Sequence, residues 1–149
     1  MELTDLYSRK ILELAGRLTT GDRLAAPDAR ARKISRICGS SIEVDLKLDE
    51  AGIVIGYAQQ VEACALGQTS ASVVAAQIIG ATSAELRQLR DQMFAMLKQD
   101  GPPPSGRWSD LKYLEPVRDF APRHTSTMLV FDAIVACLDQ IEAQKELHA

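Results

Sequence analysis

Between residues 42 and 61 the chain spells out a β-hairpin, and this hairpin limits the fold more than any other stretch. Ile42, Val44, Leu46 and Leu48 alternate with Glu43, Asp45, Lys47 and Asp49, the period-two pattern of a strand with one buried and one wet face. Asp49-Glu50-Ala51-Gly52 supplies a turn, and the return strand over 53–61 sets Ile53, Ile55 and Tyr57 on one side. Two strands are not stable alone in water, so helices must cover the apolar face. The expected class is therefore α+β: a small antiparallel sheet with helices packed on it. A cysteine stands beyond each end of the hairpin, Cys38 in Cys38-Gly39-Ser40 and Cys64 in Cys64-Ala65-Leu66-Gly67. Because the two ends of a hairpin lie side by side, the two thiols can share a site although they are far apart in sequence.

The helices are legible around it. Leu6, Tyr7, Ile11, Leu14, Ala15 and Leu18 recur at three- and four-residue spacing, which predicts an amphipathic helix over 4–18 stopped by Gly21. Residues 22–36 are basic and small, contain Pro27, and read as an extended connection with a short edge strand ahead of Cys38. A small-residue helix is expected over 67–79, ended by Gly80. Thr82-Ser83-Ala84-Glu85 has the form of a capping box, and Leu86, Leu89, Met93, Met96 and Leu97 line the following helix. Gly101-Pro102-Pro103-Pro104-Ser105-Gly106 must be a loop, with one or two helical turns over 109–114. The last helix, over 125–145, carries Val130, Ile134, Cys137, Leu138 and Ile141 on one stripe. Too little chain follows the proline loop for a second core, so residues 1–149 form one domain.

Charge excludes several partners. With 17 basic and 20 acidic residues the net charge is -3, which offers no footprint for nucleic acid or an anionic membrane surface. No apolar run is long enough to span a membrane, and the opening residues lack the order of a secretory signal, so the chain reads as cytoplasmic. Three cysteines, an odd number, fit a reducing compartment in which thiols serve metals or chemistry. No phosphate-binding glycine loop or nucleophile elbow is present, and no enzyme activity is indicated. Cys137 lies on the apolar stripe and reads as core. Cys64, at a helix start, is placed where amides and the helix dipole favour thiolate, and Gly39 lets the backbone bend beside Cys38. Trp108 reads either as an exposed anchor for a partner or as a core contact covering the loop.

Taken in order, the opening helix with Leu6-Tyr7, Cys38-Gly39 before the hairpin, Cys64-Ala65-Leu66-Gly67-Gln68-Thr69-Ser70-Ala71-Ser72, Val117-Arg118 and Pro122-Arg123-His124-Thr125-Ser126-Thr127-Met128-Leu129 resemble the NifU N-terminal, IscU/SufU-like iron-sulfur cluster assembly scaffolds over nearly the whole chain. The resemblance implies a domain that builds a cluster at one tip from sulfur supplied by a cysteine desulfurase and passes it to recipient proteins, with zinc often in the same site. It assigns Cys38 and Cys64 as the first and second cluster cysteines. Ser40 falls where the family has an aspartate and Ser126 where it has its third cysteine, the usual sulfur acceptor. A serine hydroxyl matches soft metals poorly, and Cys137 lies too far along the last helix to replace it. His124 offers a third metal ligand beside Cys38 and Cys64, completed by water, Ser126 or a partner thiol; His148 sits in the tail and is not a ligand.

Three functions follow. The first is a scaffold transiently binding iron and sulfur, or zinc, through Cys38 and Cys64, with a homodimer able to supply four thiolates. The second is an interaction or sulfur-relay module that keeps the fold and the docking surface for desulfurase and recipients. The third, a structural zinc domain, has only two strong ligands to rest on.

Overall fold

The computed structural model describes residues 6–18, 22–37 and 39–147. The elements run α1 (Arg9–Gly16), β1 (Ala29–Ile34), β2 (Ser41–Leu48), β3 (Val54–Glu62), α2 (Ala65–Gln77), α3 (Ser83–Lys98), a train of 3-10 turns over Gly106–Asp119, and α4 (His124–Leu147). The expected α+β architecture is what forms: one antiparallel sheet in the order β1-β2-β3 with the helices on it. The edge strand expected ahead of position 38 is β1, paired with β2 from Ala29 opposite Leu46 to Ile34 opposite Ser41. No helix among the described residues is long and apolar enough to cross a membrane.

The inner sheet face carries Ala29, Ala31, Ile42, Val44 and Leu46, all buried, and α4 lies across it with Leu129, Val130, Phe131, Ile134, Leu138 and Cys137 in the shared core. Cys137 is fully buried with Sγ 3.6 Å from the Val44 carbonyl oxygen. Burial, with Asp45 adding to it, pushes this thiol up to about 12, so it is inert at neutral pH.

Helix ends follow their caps. Ser8 accepts from the Ile11 amide and starts α1 at Arg9, later than apolar spacing alone suggests; Leu6 remains buried in the turn ahead of it, and residues 4 and 5 of the expected helix, with the expected stop at Gly21, lie outside the described residues. Thr82 caps α3 through the Glu85 amide, and the five apolar residues expected on its buried face are those that are buried. The turns after the proline loop run further than expected, through Pro116 to Asp119. They are fixed by Trp108, which is buried and donates its indole N–H to Glu85 at 2.9 Å, joining this segment to the start of α3. Of the two readings of Trp108, the core contact is the one that forms.

Two sheet positions depart from simple alternation. Ile55, expected on the apolar face, is 52% exposed. Lys47 pairs with Gly56 while Leu48 pairs with Val54, so Ile55 is the extra residue of a β-bulge and is turned out. Asp45, expected on a wet face, is 2% exposed, because the connection from α1 to β1 folds over it. Arg23 and Arg30 reach its carboxylate at 3.0 and 2.7 Å, and the Leu24 amide donates to it at 3.0 Å. Leu24 lies against Gly56, where an added Cβ would come within 3.3 Å of its side chain. Burial alone would raise the Asp45 pKa, but the hydrogen bonds from Arg23, Arg30 and Leu24 outweigh it and hold it below the usual carboxylate range.

A depressed folded-state pKa stabilises the fold at pH values above the ordinary carboxylate pKa, and that stabilisation is lost as pH falls through the lowered value. The guanidinium groups are 43% and 44% exposed, which screens the pairing. Asp45→Asn is therefore expected to lower stability at pH 7 by about 1–2 kcal/mol. Its urea midpoint should approach that of the parent as pH falls below the ordinary carboxylate range and through the lowered Asp45 value. A pH-independent difference would place the loss in packing instead of charge.

Candidate functional site

The site is assembled at the end of the sheet where β2 begins and β3 finishes. Ser41 pairs with Glu62, so the connection leading into β2 and the one leaving β3 are neighbours. The β1–β2 connection is drawn tight by the Ser35 amide donating to the Ser40 carbonyl at 2.7 Å and the Gly39 amide donating to the Ser35 carbonyl at 2.9 Å. Gly39 has φ +73°, a left-handed conformation that suits glycine. Cys38 lies outside the described residues; its neighbours Ile37 and Gly39 belong to this connection. Ser40, at the position of the family aspartate, is 3% exposed.

Across this end, Cys64 is the N-cap residue of α2 and is half-buried. Its side chain makes no capping bond. Instead Sγ lies 3.6 Å from Ser126 Oγ, in the first turn of α4. Ser126 is 1% exposed and its hydroxyl reaches the Arg123 carbonyl at 3.2 Å. Two sulfurs bound to one tetrahedral metal at about 2.3 Å each would be about 3.8 Å apart, so the Cys64–Ser126 spacing is close to that separation as well as within reach of an S–H···O hydrogen bond. The side chain facing Cys64 is an alcohol.

The closeness of α2 and α4 is written in small residues. Gly67 leaves no room for a side chain: an added Cβ would come 2.8 Å from Ala63 Cβ and 3.0 Å from the Ser126 carbonyl oxygen. Ser70 donates to the Thr127 carbonyl at 2.9 Å, and Thr69 donates to the Ile11 carbonyl at 3.1 Å. Hydroxyls thus join α2 to α4 and to α1 where larger side chains would hold the helices apart.

His124, the expected third ligand, is 5% exposed and is turned into the protein. Nε2 lies 2.9 Å from the Val117 carbonyl and 3.2 Å from that of Arg118, while Nδ1 lies 3.2 Å from Lys98 Nζ. An ammonium only donates, so Nδ1 is the acceptor and Nε2–H the donor. Both ring nitrogens are engaged, and coordination by His124 would require one to be released. Among the described residues no group of three His, Cys, Asp or Glu side chains could hold a metal ion. His148 lies outside the described residues. The Lys98 contact was not foreseen in the sequence, since residues 98 and 124 are joined only by the fold.

The elements make a small antiparallel sheet backed by helices, with a half-buried thiol at a helix start beside one end of the sheet. The chain matches no protein-family profile and no curated protein sequence. Among solved structures it is similar to the N-terminal part of a nitrogen-fixing NifU-like protein from Brucella abortus, with 51% identity, a TM-score of 0.91, and 95% of this chain and 97% of that one covered. An iron-sulfur cluster assembly scaffold described for the SUF system of Fervidobacterium islandicum shares the fold at 16% identity, with a TM-score of 0.82 over 92% of this chain and 99% of that one. A hypothetical protein shares it at 21% identity, with a TM-score of 0.78 over 92% and 99% of the two chains. The chain belongs to the NifU-like N-terminal family, the group that includes the IscU/SufU-like domains.

Proposed function

We propose that this protein is an iron-sulfur cluster assembly scaffold that holds iron and sulfide, or zinc, through Cys38 and Cys64, receives sulfur from a cysteine desulfurase and passes the cluster to recipient proteins. The observation that carries this reading is the half-buried Cys64 thiol, placed at the start of α2 beside the end of the sheet that the β1–β2 connection also reaches. Ligands beyond the two cysteines would come from water, from a partner's thiolate, or from the second chain of a homodimer. Family membership at 51% identity to a NifU-like domain supports the scaffold class.

The test is anaerobic reconstitution with iron and sulfide, followed by iron and acid-labile sulfide analysis and by zinc analysis of protein as purified. Cys38→Ser and Cys64→Ser are each expected to lose at least about tenfold in retained metal, since loss of even an outer-shell partner costs that much affinity. Cys137→Ala should retain it at a stability cost of about 1 kcal/mol, comparable to deletion of one buried methyl. Equal metal content in all three variants would refute the assignment.

A second reading rests on Ser40 and Ser126, which stand where the family has harder or softer ligands. In it the chain keeps the docking surfaces for desulfurase and recipients, and Cys64 acts as a sulfur relay without building a cluster. The same reconstitution separates the two: parent protein that holds no cluster or zinc, yet binds a desulfurase, supports the second reading.

A further inference from the structure

We propose that His124 is a positioning residue which, clasped between Lys98 and the Val117 and Arg118 carbonyls, fixes the first turn of α4 so that the Ser126 hydroxyl is held against Cys64. This deepens the scaffold reading, because it concerns the environment of the thiol to which that reading gives a ligand role. The chain of contacts is continuous. Nε2–H of His124 donates to the Val117 carbonyl at 2.9 Å and Nδ1 faces Lys98 at 3.2 Å, which ties the start of α4 both to the 3-10 turns and to the end of α3. One residue before His124, the Arg123 carbonyl accepts from Ser126 Oγ at 3.2 Å and from Thr127 Oγ1 at 2.8 Å. Two residues after His124, Ser126 Oγ stands 3.6 Å from Cys64 Sγ. Residues two apart on a helix point to different sides, so an imidazole turned inward toward Val117 and a hydroxyl turned toward Cys64 are compatible within one turn.

Burial explains why a histidine suits this position. At 5% exposure, a side chain must satisfy both polar ends in place, and an imidazole can donate at one nitrogen while accepting at the other. A phenylalanine of similar size would leave the two carbonyls and the ammonium to find other partners, and the turn carrying Arg123 and Ser126 would be free to shift. The Ser126 hydroxyl, whose proton goes to the Arg123 carbonyl, would then no longer be held where its oxygen can accept from the Cys64 thiol.

The test reads Cys64 directly, on metal-free reduced protein, as the rate of alkylation by iodoacetamide at one fixed pH, resolved by peptide mass spectrometry. Ser126→Ala is expected to change the Cys64 rate by roughly fivefold, the size of one net hydrogen bond. His124→Phe should produce a change of the same sign. The double variant should show little more than either single, since both act through one contact. His124→Gln, which can still donate to Val117, should restore most of the parent rate. Cys137, fully buried, serves as the internal control for general loosening, and its rate should not move. Should His124→Phe fold poorly, Lys98→Met removes the other half of the clasp and is read in the same way. A parent-like Cys64 rate in the clasp variants, or a rise in Cys137 labelling equal to the change at Cys64, overturns the proposal. The scaffold reading fails separately, by absence of cluster or zinc in reconstituted parent protein, whatever the alkylation rates show.

Discussion

Replacing Ser126 with cysteine is expected to convert a weakly held cluster or metal into a firmly held one. At 3.6 Å from Cys64 Sγ, the side chain at position 126 already stands at about the separation that two thiolates adopt on one tetrahedral metal. What it lacks is chemistry: an alcohol is poorly ionised at neutral pH and is a hard donor, whereas iron-sulfur clusters and zinc favour thiolate. Ser126→Cys changes oxygen to sulfur with no change in branching, on a turn that the Arg123 carbonyl, the Thr127 hydroxyl and the α2 contacts already hold. The half-life of reconstituted cluster absorbance under a chelator should lengthen by at least about tenfold, the low end of what even an outer-shell change does to metal affinity. Zinc content after purification should rise in parallel. The measurement must be anaerobic and reduced, since a thiol this close to Cys64 can also form a disulfide. A half-life equal to that of the parent in reduced protein would mean that the side chain at 126 does not face the metal position.

The same contact marks how far the sequence can be read. Strand alternation, the Thr82 cap and the stripe on α3 were legible because each depends on neighbours a few residues away. Cys137 was legible as core for the same reason, since Ile134 and Ile141 flank it on one helical face. Asp45 was not, because its burial comes from Arg23 and Leu24, brought over the sheet by a connection with no periodicity of its own, and from Arg30, its partner across the β1–β2 pair. Ile55 was misplaced by a single bulge, which inverts the side-chain face without leaving a distinct mark in composition. At the site, the proximity of Cys64 to Ser126 was expected only from family resemblance. No local pattern specifies that α2 and α4 begin side by side. His124 shows the limit most clearly: a histidine near a candidate thiol reads as a ligand in one dimension, and only the carbonyls of Val117 and Arg118 and the ammonium of Lys98 reveal where its nitrogens are spent.

Gly67→Ala should be damaging, although alanine is the better helix former. Within a helix the exchange favours alanine by about 1 kcal/mol. At Gly67, however, the new Cβ would come 2.8 Å from Ala63 Cβ and 3.0 Å from the Ser126 carbonyl oxygen. Neither can rotate away, because one is a single methyl and the other is backbone. Relief requires α2 to move from the start of α4, and overpacking of this kind costs about 1–3 kcal/mol. The movement would also part Cys64 from Ser126 and strain the Ser70 bond to Thr127. The expected result is a lower urea midpoint, a net loss of up to about 2 kcal/mol, together with faster loss of reconstituted cluster. Gly16→Ala provides the contrast: it is the last residue of α1, with nothing within 4 Å of an added Cβ, and should be neutral or slightly stabilising. If Gly67→Ala instead matched Gly16→Ala in stability and kept its cluster, the approach of the two helices would be slack, and the small-residue face of α2 could not be what sets the geometry around Cys64.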